Sequence, residues 1–435
     1  MNISTMKISG KSAKQPTGPV QIDRASFPDQ PNRPNDGPPC TVANVRHMLK
    51  CNGVTVRYNI IRKRIEIVVP WIASTVDNGD AVALTHILSL ASQYGMPVGL
   101  ISNVVDAIGD AHAYNPASDW IFSKPWDRID RLKTFFATII PMDDYPIELR
   151  DDLMRRWILS VTAAAIMPDG FHCRGVLTLQ GAQGLGKTSW GRALIDHPTF
   201  AKQLIKLDHH LDASNKDSLL GAIEHWIVEI GELDSSLKRD VARLKGFLTN
   251  GTDKVRRPYG RVSCETQRRT VFYATVNAPD FLVDNTGNSR FWTIACKGII
   301  HNHGIDMQQL FAQCAVLLRE GEQWWLTDDE EKRLEQQNSL HRSYSLVRER
   351  ILEIVDTSPD FSGSTKAMTA SEVLEEAGLT NPTNPQAKEC AGYLREWFGQ
   401  SKRINGRDRW HIPVREKNVT SVPENPPTRR STKFD

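Results

Sequence analysis

The spacing of apolar residues changes period several times along the chain. Residues 42–49 repeat at helical spacing, and 54–58 and 64–69 alternate like a pair of strands. Residues 80–94 return to an amphipathic helical pattern. A further helical stretch over 98–115 is broken by Asn115-Pro116. Residues 149–167 predict a strong helix that stops before Pro168-Asp169-Gly170. Short β-favouring runs then follow at 176–179, 226–230, 270–276 and 291–295, with a helix over 189–195 after the first. Strand and helix patterns sharing one stretch predict an α/β core. A helix beginning near Met307 is read as ending in Trp324-Trp325, with those rings packed on the core. Near the carboxyl end, 371–377 and 387–398 predict two helices, and 403–412 a β-hairpin turning at Asn405-Gly406. Residues 1–39 and those after 414 are polar and proline-rich, and are expected to be a disordered arm and tail.

Between the first β-run of the core and its helix lies Gly181-Ala182-Gln183-Gly184-Leu185-Gly186-Lys187-Thr188, which fits GxxxxGK[ST]. Glycines at these positions let the backbone wrap a triphosphate, with N–H groups aimed at its oxygens and the following helix N-terminus facing it. Gly181, Gln183, Gly184, Leu185, Gly186, Lys187, Thr188 and Ser189 are the expected ATP contacts. Lys187 reaches the β- and γ-phosphates, and Thr188 holds Mg²⁺.

An ATPase also needs an acid at a second strand end. The run Trp226-Ile227-Val228-Glu229-Ile230-Gly231-Glu232 offers two. Glu232, just past the run, is the first choice for the acid beside Mg²⁺ and water. Glu229 is the alternative or a neighbour in the same site, and Asp234 is a weaker candidate. Asn277 follows the β-run 270–276, where it can orient water and sense the γ-phosphate. Arg290 stands at the edge of a turn-rich loop before the run 291–295. It suits an arginine finger acting on a neighbouring subunit's nucleotide.

Basic residues cluster in two further places. Lys254, Arg256, Arg257 and Arg261 surround Tyr259 between the second and third core strands, followed by Arg268-Arg269. Cations there can take phosphates and the tyrosine can stack on a base, as in a DNA-contacting hairpin. Lys245 just upstream could face the nucleotide or the same channel. The carboxyl-terminal hairpin carries Lys402, Arg403, Arg407 and Arg409. Two helices and a basic hairpin suggest a winged-helix DNA-binding module whose cations approach phosphates.

These stretches, GAQGLGKTSW, WIVEIGELD, LKGFLTNGTDKVRRPYGR, RRTVFYATVNAPDFLVDNTGNSRFW and GEQWWLTDDE, resemble the virulence-associated E family. The ATPase core of that family is similar to superfamily three helicases. The resemblance spans about 41–413 and is densest over 174–292. It implies a ring-forming, DNA-dependent ATPase of the kind carried by prophages and genomic islands. Lys187 and Thr188 would then bind ATP and Mg²⁺, Glu232 would be the Walker B acid, Asn277 the polar sensor and Arg290 the finger. Gly231 stands where the family pattern has an acid before Glu232, which leaves the division of labour between Glu229 and Glu232 open.

Composition adjusts this picture only slightly. The 435 residues allow two or three domains: an arm over 1–40, an α+β, mainly helical domain over 41–140, a P-loop core over 141–335, a winged-helix-like module over 345–414 and a tail over 415–435. A net charge of +3 confines DNA binding to local patches. No long apolar window or signal-peptide core is present, so no membrane partner is expected. Seven scattered cysteines without a C-x-x-C pair argue against zinc and suit a reducing bacterial or phage-infected cytoplasm. His209, His210 and His225 have no common metal-ligand spacing and are expected to be ordinary histidines. No acid–histidine set of a polymerising primase is visible, so a primase would be a separate protein. The leading expectation is an ATP-dependent helicase or translocase on single-stranded or forked DNA, working as a homo-oligomeric ring with a hexamer favoured. The alternatives are an ATP-switched DNA-binding regulator and a phage-interference ATPase, because nucleotide use does not fix biological role.

Overall fold

A computed structural model of the chain describes residues 18–72, 79–168, 171–237, 241–255, 264–282, 288–341, 346–357 and 364–415. Arg256, Arg257, Tyr259, Arg261, residues 1–17 of the expected amino-terminal arm and nearly all of the tail lie outside these residues. The rest of that arm is packed rather than disordered: Ile22 and Phe27 are buried in the first core, and the Ile22 N–H donates to the Tyr94 hydroxyl at 3.0 Å. The chain divides into two compact units, Met1–Arg342 and Ser343–Asp435.

The first unit begins with a small α+β layer. Helix α1 (Val42–Cys51) starts at Thr41, whose hydroxyl accepts the Asn44 N–H. Strands β1 (Thr55–Asn59) and β2 (Arg64–Val68) pair antiparallel, with Thr55 opposite Val68. Helices α2 (Gly79–Gln93) and α3 (Ile101–Asp110) cover them and close a core around Val45, Met48, Val56, Ile87 and Val105. The 98–115 stretch is not one helix. It divides into a 3-10 turn, Val98–Leu100, then α3, then β3 (Ala113–Tyr114), which pairs parallel with Tyr58 and Asn59 of β1. Pairing with β1, a tertiary contact invisible to local periodicity, pulls the last residues into an extended form.

The larger part of this unit is built on one sheet. Helices α4 (Pro116–Ile121) and α5 (Leu132–Phe136), strand β4 (Ile139–Pro141) and helix α6 (Ile147–Ile166) lead into β5 (Val176–Gln180). The order continues α7 (Lys187–Arg192), α8 (Pro198–Leu204), β6 (Ile205–His209), α9 (Lys216–Ile223), β7 (Ile227–Ile230), α10 (Leu233–Leu237) and α11 (Val241–Leu248). Then come the two-stranded ribbon β8 (Thr252–Val255) and β9 (Cys264–Gln267), followed by β10 (Val271–Val276), β11 (Phe291–Ile299), α12 (Met307–Arg319) and α13 (Asp328–Ser339). The six strands lie in the order β4-β11-β5-β10-β7-β6, with β11, β5, β10, β7 and β6 parallel and β4 antiparallel at the edge.

Both faces of this sheet are covered, which is why its strands read as continuous apolar runs. Leu177, Leu179, Ile227, Val271 and Tyr273 face α6 in a core with Trp157, Trp190 and Phe135. Val176, Val228, Ile230, Phe272, Ala274 and Val276 face Leu233, Leu237, Leu244 and Leu248 on the other side. Helix α12 ends at Arg319 rather than at the tryptophans. Gly321 adopts φ 93° and the Glu322 N–H bonds back to Leu317 O, a left-handed helix end. Trp324 and Trp325 follow it, with Trp324 packed on the core and Trp325 exposed.

The second unit contains α14 (Leu346–Ile354), β12 (Thr365–Met368), α15 (Ala370–Glu376), α16 (Asn384–Phe398), β13 (Lys402–Ile404) and β14 (Arg407–Pro413). Its strands form an antiparallel sheet in the order β12-β14-β13. Capping boxes start both α15, through Thr369 and Glu372, and α16, through Thr383 and Gln386. Asn405 and Gly406 take φ 51° and 75° and close the hairpin as a two-residue turn, as their sequence predicts.

Candidate functional site

The segment between β5 and α7 turns on glycines. Gly184 and Gly186 take φ 87° and 86°, the left-handed region that glycine enters without steric cost. A side chain at Gly186 would also press on the His301 ring, with its Cβ 2.9 Å from Nδ1. Helix α7 starts directly after Gly186, so the backbone turns from strand to helix within six residues, and its first N–H groups stay free of helix partners.

Lys187 is nearly buried under this turn. Its Nζ donates to Gly181 O at 2.6 Å, to Ala182 O at 3.0 Å and to Asn277 Oδ1 at 2.9 Å. Burial pulls its pKa below the usual lysine value, opposed mainly by Cys296 and by the Glu229 carboxylate. Asn277 extends from the end of β10, the strand beside β5, and the Gly181 N–H bonds to Val276 O. Lys187 heads the helix that follows β5 and Asn277 follows β10, and because the sheet sets these two strands side by side their side chains meet.

The two acids of the next strand separate. Glu229 lies within β7, fully buried; its Oε1 accepts the Thr188 hydroxyl at 2.7 Å and its Oε2 accepts the Asp208 N–H at 3.0 Å. Glu232 lies beyond the strand, exposed, in a left-handed backbone conformation with φ 49°. Such a conformation at a residue other than glycine costs on the order of 1 kcal/mol or more, and residues held there concentrate at functional sites. Gly231 between them is a matter of space, because a Cβ there would collide with the Asp208 carboxylate. Asp208 itself sits at φ 50° where the β6–β7 register shifts. Sequence reasoning did not single it out. Its only sequence signal is its place near the end of a β-favouring run, Ile205-Lys206-Leu207.

Tyr273, from β10, is buried beneath Glu229. Burial, and secondarily that carboxylate, hold its phenol well above the ordinary tyrosine pKa. Lys187, Asn277, Thr188 and Glu229 thus converge from three adjacent strands at the carboxyl ends of the parallel sheet, where α/β proteins bind ligands. Gln183 is exposed, and Leu185 and Ser189 are half-buried around the turn. Asp234 is in the first turn of α10.

Arg290 is elsewhere. It ends the 3-10 turn Asn288–Arg290 just before β11, and parallel pairing aligns Phe291 with Val176 and Ala295 with Gln180. It therefore lies at the opposite end of the sheet from Lys187. There it lines a cleft of about 640 Å³ with His172, Arg174, Trp325, Asp328 and Glu331, and its Nε is buried without a hydrogen-bond partner.

The basic stretches also divide. Lys254 is exposed on β8. Arg268 and Arg269 are internal: Arg268 forms a two-point ion pair with Asp253 (2.7 and 2.5 Å), and Arg269 donates to the carbonyls of Ala164 and Met167 at the end of α6. Lys245 is buried as well. In the second unit Lys402, Arg403 and Arg407 are exposed, whereas Arg409 is held by Glu372 at 2.8 and 2.9 Å and by Ala367 O at 2.7 Å.

Among the described residues no group of histidine, cysteine, aspartate and glutamate could hold a metal ion on its own, and no helix is long and apolar enough to cross a membrane. His209 Nε2 faces Ser218 O at 2.9 Å, and His225 Nδ1 faces Gly221 O at 3.0 Å, so both rings have local partners. Burial, more than the bond to Gly221, sets the pKa of His225, which falls to about 4. The folded protein therefore keeps this ring neutral while the unfolded chain binds a proton below about 6.5. Stability from this residue is complete above pH 6.5 and is lost as pH falls toward 4. Between pH 7 and pH 4 the wild type should lose up to about 3 kcal/mol more unfolding free energy than His225→Gln. Parallel losses in urea titrations of the two proteins would refute this.

The virulence-associated protein E-like domain matches residues 121–343, just over half of the chain. A comparison with curated proteins gives no match. Among solved structures, an A form apo structure of the NrS-1 C terminal region aligns over 85% of this chain and 98% of that chain, with 14% identity and a TM-score of 0.39. Another A form apo structure of that region aligns over the same shares, with 13% identity and a TM-score of 0.41. On the extent of the domain match, which takes in the strands and loops described above, the chain belongs to the virulence-associated protein E-like family.

Proposed function

We propose that this chain is an ATP-dependent DNA helicase or translocase acting in the replication of a prophage or genomic island. The observation that carries the reading is the meeting of Lys187, Asn277, Thr188 and Glu229 around a glycine turn at the head of α7. A P-loop core of the superfamily-three or AAA+ kind is the fold class that fits it.

In this reading the backbone N–H groups of 181–188 and the Lys187 ammonium take the β- and γ-phosphates of ATP. The Thr188 hydroxyl and the Glu229 carboxylate are hard oxygen donors already in contact, and suit Mg²⁺. Bound Mg²⁺ would neutralise charge on the β- and γ-oxygens. Asn277 orients the attacking water and Glu232 accepts its proton, as the water oxygen bonds to the γ-phosphorus and ADP leaves. The strained, exposed backbone of Glu232 leaves that side chain free to face solvent and substrate.

Arg290 lies too far along the sheet to reach its own loop, which favours a finger acting on a second copy in a ring, with six subunits as the favoured number. The ribbon β8–β9, with Lys254 and the sequence between its strands carrying Arg256, Arg257, Tyr259 and Arg261, would track one strand of single-stranded or forked DNA. The helix–strand–helix–helix–hairpin order of the second unit supports a winged-helix reading, with Lys402, Arg403 and Arg407 toward phosphates.

The test is ATP hydrolysis by the full chain with and without single-stranded DNA, beside Glu229→Gln and Glu232→Gln. DNA should stimulate the wild type. Glu232→Gln should keep Mg²⁺-dependent ATP binding while turnover falls about 10²- to 10⁴-fold. Glu229→Gln should weaken that binding tenfold or more. Reversed behaviour would exchange the two roles. Hydrolysis indifferent to DNA would favour an ATP-switched DNA-binding regulator or a phage-interference ATPase.

A further inference from the structure

The sheet order distinguishes the two sides of the phosphate turn. Asn277 and Glu229 both come from the β10–β7 side of β5, so the γ-phosphate and metal end of a nucleotide belongs there. The rest of the nucleotide must leave toward the other side, where the neighbouring strand is β11. Strand β11 runs parallel to β5, so the residues after Ile299 emerge beside the turn. This segment reads Ile300-His301-Asn302-His303-Gly304 and carries no acid. It is anchored by the Ile300 N–H to Thr138 O at 2.8 Å. The His301 ring lies against Gly186, at the junction of turn and helix, and is exposed on its outer side. His303 adds a second feature. Its Nδ1 accepts the Ile305 N–H at 3.2 Å, so in the neutral ring the hydrogen is on Nε2, and that buried donor has no partner. Burial, and then the nearness of His301, disfavour a charge on His303.

We propose that residues 300–304 form the nucleoside side of the site, with the His301 ring stacking on the base and the His303 Nε2–H donating to the base or ribose. The proposal rests on the reading of 181–188 as an ATP-binding turn, and it assigns the residues that hold the part of ATP that the turn does not. An exposed imidazole over a glycine offers a flat face, and stacking of a base on an aromatic ring contributes about 1–3 kcal/mol. His303 supplies direction, since an unpaired buried donor gains most from a ligand acceptor.

The experiment is calorimetric titration of the full chain with ATP and, separately, with inorganic tripolyphosphate, both with Mg²⁺. His301→Ala and His301→Asn should each weaken ATP binding about tenfold while tripolyphosphate affinity stays within twofold, because only ATP carries a base. His301→Phe, which keeps the flat ring, should hold ATP within about threefold of wild type. Thermal unfolding of each variant reports whether it is folded, and the exposed position of His301 leaves three variants to choose from. Unchanged ATP affinity in both His301→Ala and His301→Asn would overturn the proposal. An equal loss for both ligands would also overturn it, since His301 would then act on the phosphate turn. Failure of the wild type to bind either ligand would instead defeat the ATP reading itself, and the proposal with it.

Discussion

Replacing Lys187 by alanine is expected to lower ATP turnover about 10²- to 10³-fold or more, the range seen when one preorganised donor to transition-state charge is removed. In the folded chain this ammonium has three acceptors: two carbonyls of its own turn and the Asn277 side chain. It is nearly buried, so its charge acts in a medium where screening is weak. The same burial lowers its pKa, yet the group starts from a high value and its acceptors are all oxygen. A triphosphate would replace weak carbonyl partners with anionic ones, strengthening each hydrogen bond. The variant should remain folded, because Trp190 and Gly191, which pack α7 on the core, are untouched. Steady-state phosphate release with circular dichroism checks both halves. Wild-type turnover in Lys187→Ala would end the assignment of 181–188 as the ATP turn.

The second large effect concerns stability. Arg268→Ala should destabilise the protein by about 3–5 kcal/mol, measured by urea unfolding. Arg268 is fully buried and its guanidinium grips both oxygens of Asp253, itself nearly buried. The same group donates to Phe247 O and lies 4.5 Å from the Phe247 ring centroid. Removing the arginine leaves a buried carboxylate without its counter-charge, and that uncompensated charge is most of the expected loss. Arg268→Met combined with Asp253→Asn should therefore be less destabilised than Arg268→Ala alone, although it lacks both charges. A loss below about 1 kcal/mol for Arg268→Ala would show that water or another cation reaches Asp253. The pair ties β8 to the end of β9, so the loss should be felt across the ribbon.

Arg268 also illustrates where sequence reading stops. Charge alone places it with Arg256, Arg257 and Arg261 in one basic stretch facing DNA. Packing sorts the described members, turning Arg268 and Arg269 inward as structural cations and leaving Lys254 outside. Arg409 behaves likewise in the second unit, where the Glu372 carboxylate takes it from a basic hairpin that still exposes Lys402, Arg403 and Arg407. A cation's direction depends on which carboxylate the fold brings within reach, and local pattern carries no record of that.

What the sequence by itself determined is the local and the periodic. The glycine turn, the apolar core strands at 176–179, 226–230, 270–276 and 291–295, and the Asn405-Gly406 hairpin are all legible, because each is set by backbone sterics or by burial on a sheet. Family membership was legible too, since it resides in contiguous motifs. The tertiary structure alone decided the division of 98–115, where pairing with β1 outweighed helical spacing. It also separated the two acids. Glu229 and Glu232 look alike in sequence, but alternation along β7 and a left-handed turn after it bury one against Thr188 and expose the other. The order of strands in the sheet, a long-range property, set Asn277 beside Lys187, sent Arg290 to the far end, and brought His301 to the glycine turn.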